Sequence, residues 1–316
     1  MGVFHEDTFV ILTGAAGLVG QNLVAELCRQ GFRNILAIDK HKRNLDILQS
    51  LHPTVRCLCA DMCTPGPWMD AFAKCKRLFL LQAQITGMDY DIFQRNTLDS
   101  TRNTLYAARK YQIPFTVFVG SSVVNTASND NYTRSKKAQE IMMTTSGLAH
   151  CVVRPTLMFG WFDPKHLGWL SRFMEKTPIF PIPGHGRYIR QPLYVLDFCR
   201  VLIWCAQHPQ PGRIYDIVGQ EELTYVDIIR AIKKTKKMST CIVHLPVPLF
   251  RFLMQVYGLF SRNPPFVADQ LEALMAGDYF TGERIEEQFG IKPTPFAVAI
   301  EETFCHPQYS HIVLQR

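Results

Sequence analysis

The chain has 316 residues, 47% of them hydrophobic and 19% charged, and a formal net charge of +7. That much apolar side chain excludes a disordered polymer and suffices for one large domain or two smaller ones. No run approaches the roughly 20 apolar residues of a membrane span, and Met1–Asp7 carries acidic residues with no basic cluster ahead of an apolar run, unlike a secretory signal. The expectation is a cytoplasmic protein.

In chain order, short apolar runs alternate with helical periodicity. Phe9–Leu12 reads as a first buried strand, and 18–30, with Leu18, Val19, Leu23, Val24 and Leu27, as a helix. Strands follow at 34–38, 54–58 and 77–81, then a long helix over 91–111, a strand at 115–119, a helix over 131–146 and a strand at 150–153. Such alternation predicts an α/β fold, a Rossmann-type doubly wound parallel sheet with both faces covered. After Gly160 prolines and glycines become frequent, which predicts a smaller, mixed C-terminal lobe. A helix over 195–207 and a strand over 214–218 return to the main sheet, and 224–237, 247–260 and 265–276 are further helices. The domain division is 1–160, with 190–219 returning to it, against 161–189 and 220–316.

The chemistry-bearing motifs lie at strand ends. Gly14, Gly17 and Gly20 sit where the first strand turns into the first helix, spaced G-x-x-G-x-x-G. Glycines there permit a tight turn, backbone approach to a pyrophosphate and close helix–strand packing, so Gly14, Ala16, Gly17, Leu18 and Val19 form a dinucleotide cradle. Asp39 ends the second strand, 19 residues after Gly20. A carboxylate there accepts hydrogen bonds from the adenosine ribose and favours NAD; Lys40, Lys42 and Arg43 behind it could instead take the 2′-phosphate of NADP, the less favoured cofactor. Tyr132 and Lys136, four apart, share one helix face, where an ammonium lowers a phenol's pKa toward working pH. Ser121 and Ser122 follow the fifth strand, where a hydroxyl can position a reacting oxygen for the tyrosine.

Other candidates are set aside. Cys57, Cys59 and Cys63 lack the paired spacing of a zinc site, so no metal is expected and the ten cysteines read as free thiols. The basic run Lys233, Lys234, Lys236, Lys237 reads as a solvated helix end and not as a nucleic-acid surface. The apolar stretch 246–260 reads as a helix packed on the substrate lobe, with contact to a membrane surface as the other reading.

Taken together, the set resembles the extended branch of the short-chain dehydrogenase/reductase superfamily, which includes the NAD-dependent sugar-nucleotide epimerases and dehydratases. It comprises Thr13–Gly20, Asp61 in Ala60-Asp-Met62, Asn96 opening the long helix, Ser121-Ser122, Tyr132 with Lys136, Arg154–Gly160 and Tyr194-Val-Leu-Asp197. The resemblance implies that Asp61 meets the adenine, that Met62 and Asn96 also bind the cofactor, that Lys136 and Pro155 border the nicotinamide end, and that Ser122, Tyr132 and Lys136 are catalytic. Arg187 or Arg190 would face a substrate diphosphate, and the helices 91–111 and 131–146 would pair in a homodimer. Two departures stand out: Leu80-Leu-Gln-Ala-Gln84 replaces a His-x-Ala-Ala run, and only nine residues separate Ser122 from Tyr132. Val123, where a 4,6-dehydratase carries an acid, disfavours dehydration. The leading expectation is a nucleotide-sugar epimerase working by transient hydride transfer. The alternatives are a net oxidoreductase on a steroid-like or lipid-like alcohol, and a non-catalytic dinucleotide-binding subunit.

Overall fold

A computed structural model describes residues 4–260, 271, 274–277 and 280–315, with nothing said of the side chains of 257–260. Its centre is a parallel sheet of seven strands. The first half contributes β1 (Val10–Thr13), β2 (Ile35–Asp39), β3 (Arg56–Cys59), β4 (Arg77–Leu80), β5 (Thr116–Val119) and β6 (His150–Pro155). The returning strand Ile214–Ile217 pairs with β6, Ile217 opposite Pro155. Across the sheet the order is β3-β2-β1-β4-β5-β6 and then that strand. Every residue of β1, β4 and β5 is buried, as a sheet covered on both faces requires; β3, at the edge, is exposed at both ends.

The chain runs outward from β1 through β2 to β3, then crosses back to β4 and proceeds the other way. Beyond the carboxyl ends of β1 and β4 the connections therefore diverge and open a crevice, the usual ligand position in such sheets. Around it stand α1 (Leu18–Arg29), α2 (Lys42–Leu51), α3 (Tyr90–Phe93), α4 (Ser100–Lys110) and α5 (Asn131–Thr144). The long helix expected over 91–111 is interrupted: Gln94–Asp99 between α3 and α4 is a π-turn. Its buried side chains Thr97 and Leu98, followed by Ser100, Thr101 and Thr104, are largely hydroxylic, and Ser100 and Thr104 bond back to helix carbonyls. Asn96 lies in this turn and does not open the helix.

A second hydrophobic cluster gathers Phe159, Leu170, Met174, Phe180, Tyr225, Ile229 and Ile300. It is built from α6 (His166–Lys176), α8 (Tyr225–Thr235) and the helix Phe296–Cys305; α7 (Val195–Gln207) packs instead on α1 under the sheet. Short strand pairs border it: β7 (Met158–Phe159) with β10 (Leu193–Tyr194), β9 (Ile189–Arg190) with Leu223–Thr224, and β8 (Ile179–Pro183) with Cys241–Leu245. Asp197 accepts from the Thr294 amide (2.8 Å) and hydroxyl (2.7 Å) and pairs with Arg200 (2.8 Å), fastening the C-terminal segment to α7. The helix α9 (Val247–Phe260) forms as expected; the one expected over 265–276 lies largely outside the described residues. Among the described residues no helix is long and apolar enough to cross a membrane.

Candidate active site

At the mouth of the crevice the three glycines have different reasons to be glycine. Gly14 has φ +73°, and a Cβ on it would lie 2.6 Å from the Gln82 backbone nitrogen just past β4. A Cβ on Gly20 would lie 2.5 Å from Ala15 Cα. The protein's own packing demands both. Gly17 has an ordinary φ of −82°, is exposed, and its Cβ would meet only the Gly14 carbonyl at 3.5 Å. What its bareness keeps open is the N-terminus of α1, which has no side-chain cap and where Leu18 and Val19 are half-buried. Uncapped helix amides approached over a bare backbone fit a pyrophosphate.

Asp39 is buried at the end of β2; its Oδ2 accepts from the Ala16 amide (3.0 Å) and its Oδ1 from the His41 amide (3.0 Å). One carboxylate thus ties the glycine turn to β2. Two of the three cations behind it are engaged: Lys40 donates to Asn96 Oδ1 (2.6 Å) and Lys42 pairs with Asp46 (2.8 Å), while Arg43 is exposed. On the same side Asp61 accepts from the Cys63 amide (3.1 Å) and pairs with Arg95 (2.7 Å). Burial alone would raise the Asp61 carboxyl, but the bonds from Cys63 and the Arg95 guanidinium outweigh it and hold it down to about 2. Asn96 Nδ2 donates to Gln84 Oε1 (2.8 Å). The π-turn therefore brings Asp61, Lys40 and Asn96 into one polar cluster. Met62 departs from this group; its side chain is buried in the core on one face of the sheet.

Tyr132 is placed by its helix start. Asp130 caps α5, accepting from the Thr133 amide (2.9 Å) and hydroxyl (2.8 Å). Tyr132 then falls in the first turn and Lys136 one turn later. Lys136 is fully buried; its ammonium donates to the Val119 carbonyl at the end of β5 (2.9 Å) and to Gln139 Oε1 (2.6 Å). Burial lowers it to about 7, against the opposing charge of Glu140. The expected pull of this ammonium on the tyrosine is not what the structure shows. Burial raises the Tyr132 phenol, and the group that opposes the rise is the nearby Ser121 hydroxyl. Ser121, which caps the 3-10 turn Ser122–Asn125, is the serine brought to the tyrosine, while Ser122 is half-buried beside it.

Behind Lys136 runs a chain of amides that sequence reasoning missed. Gln139 Nε2 donates to the Gln82 carbonyl (2.9 Å) and to Thr101 Oγ1 (2.9 Å). The Gln82 side chain spans from Thr13 Oγ1 (2.5 Å) to Thr104 Oγ1 (3.1 Å). The available signals were Gln139 on the Lys136 face of α5 and the unusual Gln82. Arg154 forms a largely buried pair with Glu140. Pro155 ends β6 in line with the crevice, and the Thr156 hydroxyl next to it is buried with no partner among the described residues. Arg187 is exposed just past the Gly184–Gly186 turn; Arg190 is half-buried in β9, its charge beside the buried phenols of Tyr188 and Tyr225. Both lie away from the glycine turn in the chain, on the second cluster.

Comparison with known proteins agrees with this layout. A ceramide reductase of Caulobacter vibrioides is 25% identical over 76% of this chain and 74% of its own length. A 3-beta-hydroxysteroid dehydrogenase of Mycolicibacterium neoaurum is 22% identical over 96% of this chain and 92% of its own. Among solved structures, UDP-glucuronic acid 4-epimerase from Bacillus cereus in complex with NAD superposes with a TM-score of 0.74 at 16% identity, covering 94% of this chain and 95% of that one. The family model of the NAD dependent epimerase/dehydratase family matches residues 10–218, from β1 to the end of the seventh strand, and the chain belongs to that family.

Proposed function

We propose that this protein is an NAD-dependent epimerase acting on a nucleotide sugar, with Tyr132 as the proton acid/base. The observation that carries the chemistry is the half-buried Tyr132 beside the buried Ser121, with the fully buried Lys136 one helical turn on. When bound, NAD would take a hydride from a carbinol carbon of the substrate and return it to the other face. The chain's own groups do the rest. Gly14, Ala16, Gly17, Leu18 and Val19 would hold the pyrophosphate, Asp39 the adenosine ribose, Asp61 the adenine amine with Asn96 in the same polar cluster, and Lys136 and Pro155 the nicotinamide end. Met62 would contribute from the core behind the adenine. Tyr132 takes the hydroxyl proton as the hydride leaves the substrate and returns it to the ketone oxygen when the hydride comes back. Ser121 or Ser122 orients that oxygen. Arg190, with Arg187, would grip the diphosphate as bidentate cations. Tyr106 on α4 and Ile141 on α5 are exposed, and a homodimer through these helices belongs to the same proposal.

A net oxidoreductase acting on a lipid-like alcohol is the second reading. It is favoured by the two relatives named for ceramide and a hydroxysteroid and by the apolar surface of α9. One experiment separates the two. The purified protein is denatured, released dinucleotide is identified, and nucleotide sugars and lipid alcohols are offered in turn. Retained NAD with sugar interconversion and no net reduction supports the epimerase. Stoichiometric NAD reduction by a lipid alcohol, with no sugar turnover, overturns it in favour of the second reading.

A further inference from the structure

Two surface features meet at the end of β8's partner, the strand Cys241–Leu245. On one side, this strand and α8 enclose an open groove of about 750 Å³ lined by Arg230, Lys233, Lys234, Lys237 and His244. Asp227 pairs with Arg230 (3.2 Å), and Glu175 pairs with the neighbouring Lys236. Among the described residues no carboxylate pairs with Lys233, Lys234 or Lys237, and Lys234 and Lys237 are exposed. On the other side α9 begins two residues past the strand. Its Leu249, Phe252 and Leu253 are 44%, 59% and 47% exposed, and their i, i+3, i+4 spacing puts them on one helix face. Only Leu245 and Pro246 separate His244 in the groove from Val247 at the start of α9, a span of at most about 11 Å. The two features are therefore adjacent. An apolar helix face is costly to leave in water, and unpaired cations beside it are the charge pattern of a helix lying at an anionic bilayer surface.

We infer that this face docks on an anionic lipid membrane: Leu249, Phe252 and Leu253 enter the headgroup–acyl boundary while Lys233, Lys234 and Lys237 meet lipid phosphates and carboxylates. The inference is independent of the epimerase reading, in which none of these residues is assigned to the cofactor or substrate.

The test uses the full chain and sedimented vesicles, of phosphatidylcholine alone or mixed with phosphatidylserine. The wild type should bind the mixed vesicles and much less the neutral ones, and binding should weaken with salt. Each cation near such a surface strengthens binding about fivefold, so the triple variant Lys233→Gln, Lys234→Gln, Lys237→Gln should bind roughly a hundredfold more weakly. Leu249→Ser with Phe252→Ser should lose binding to the mixed vesicles even at low salt. Both variants should keep the wild-type circular dichroism and NAD binding. Equal binding to neutral and anionic vesicles, or none to either, overturns the inference. So does a dimer, seen by sedimentation, that Phe252→Ser dissociates, since the face would then be covered by a second copy of this chain.

Discussion

Replacing Lys136 by methionine removes a charge from the core, and its effect on stability should depend on pH in a way that the structure dictates. The ammonium is held down to about 7 by burial, against an ordinary value of 10.5. Between those values the unfolded chain binds a proton that the folded chain does not. Wild-type stability therefore rises with pH across that window, and the burial penalty is fully present below about pH 7 and gone above 10.5. At about 1.4 kcal/mol per pH unit, the penalty at neutral pH is about 4–5 kcal/mol and at pH 10 about 1 kcal/mol. Methionine is free of it, but strands the Val119 carbonyl and Gln139 Oε1, which costs about 1–3 kcal/mol for each buried acceptor at any pH. The absolute sign at one pH thus depends on two opposed terms, but the pH-independent one cancels in a difference. The stability of Lys136→Met relative to wild type should fall by about 3–4 kcal/mol from pH 7 to pH 10. Urea titrations of both proteins at the two pH values, with matching m-values, measure it. A relative stability unchanged over that range refutes the reasoning, because Lys136 would then keep its proton in the core throughout. The variant should be inactive at every pH.

The glycine turn offers a clean separation of folding from binding. Gly17→Ala should fold with near-wild-type stability and lose NAD affinity at least tenfold by titration calorimetry, whereas Gly14→Ala and Gly20→Ala should lose several kcal/mol of stability, because their Cβ atoms would sit 2.6 Å and 2.5 Å from backbone. Tyr132→Phe should bind NAD normally and lower kcat by about 10²–10⁴; unimpaired turnover would remove the tyrosine from the chemistry. Ser121→Ala should push the Tyr132 phenol further up and move the acid limb of the rate profile to higher pH, while Ser122→Ala leaves that limb in place; the reverse result would identify Ser122 as the tyrosine's partner. Arg190→Ala should raise KM for a nucleotide sugar by about 10- to 100-fold with little change in NAD affinity, the loss of a charge-assisted pair.

The doubly wound sheet was legible in the linear chain because buried parallel strands are predominantly apolar. Val10–Thr13, Arg77–Leu80 and Thr116–Val119 advertise this locally, and loop glycines and helix periodicity mark what lies between. The nucleotide end of the site was legible for the same reason: Gly14, Gly17, Gly20 and Asp39 act through backbone geometry and chain order. The polar interior was not. That Gln139 rather than the tyrosine's surroundings receives the Lys136 ammonium, that Ser121 turns to Tyr132, that Met62 packs into the core, and that a π-turn carries Asn96 to Lys40 all depend on side chains from separate strands and helices competing for the same buried donors. The sequence alone determined a dinucleotide-binding α/β chain bearing a tyrosine and a lysine on one helix face. Only the tertiary structure decided which partner each buried polar group finds, because a donor in the core must be satisfied by whichever acceptor the packing brings within about 3 Å, however distant it is in the chain.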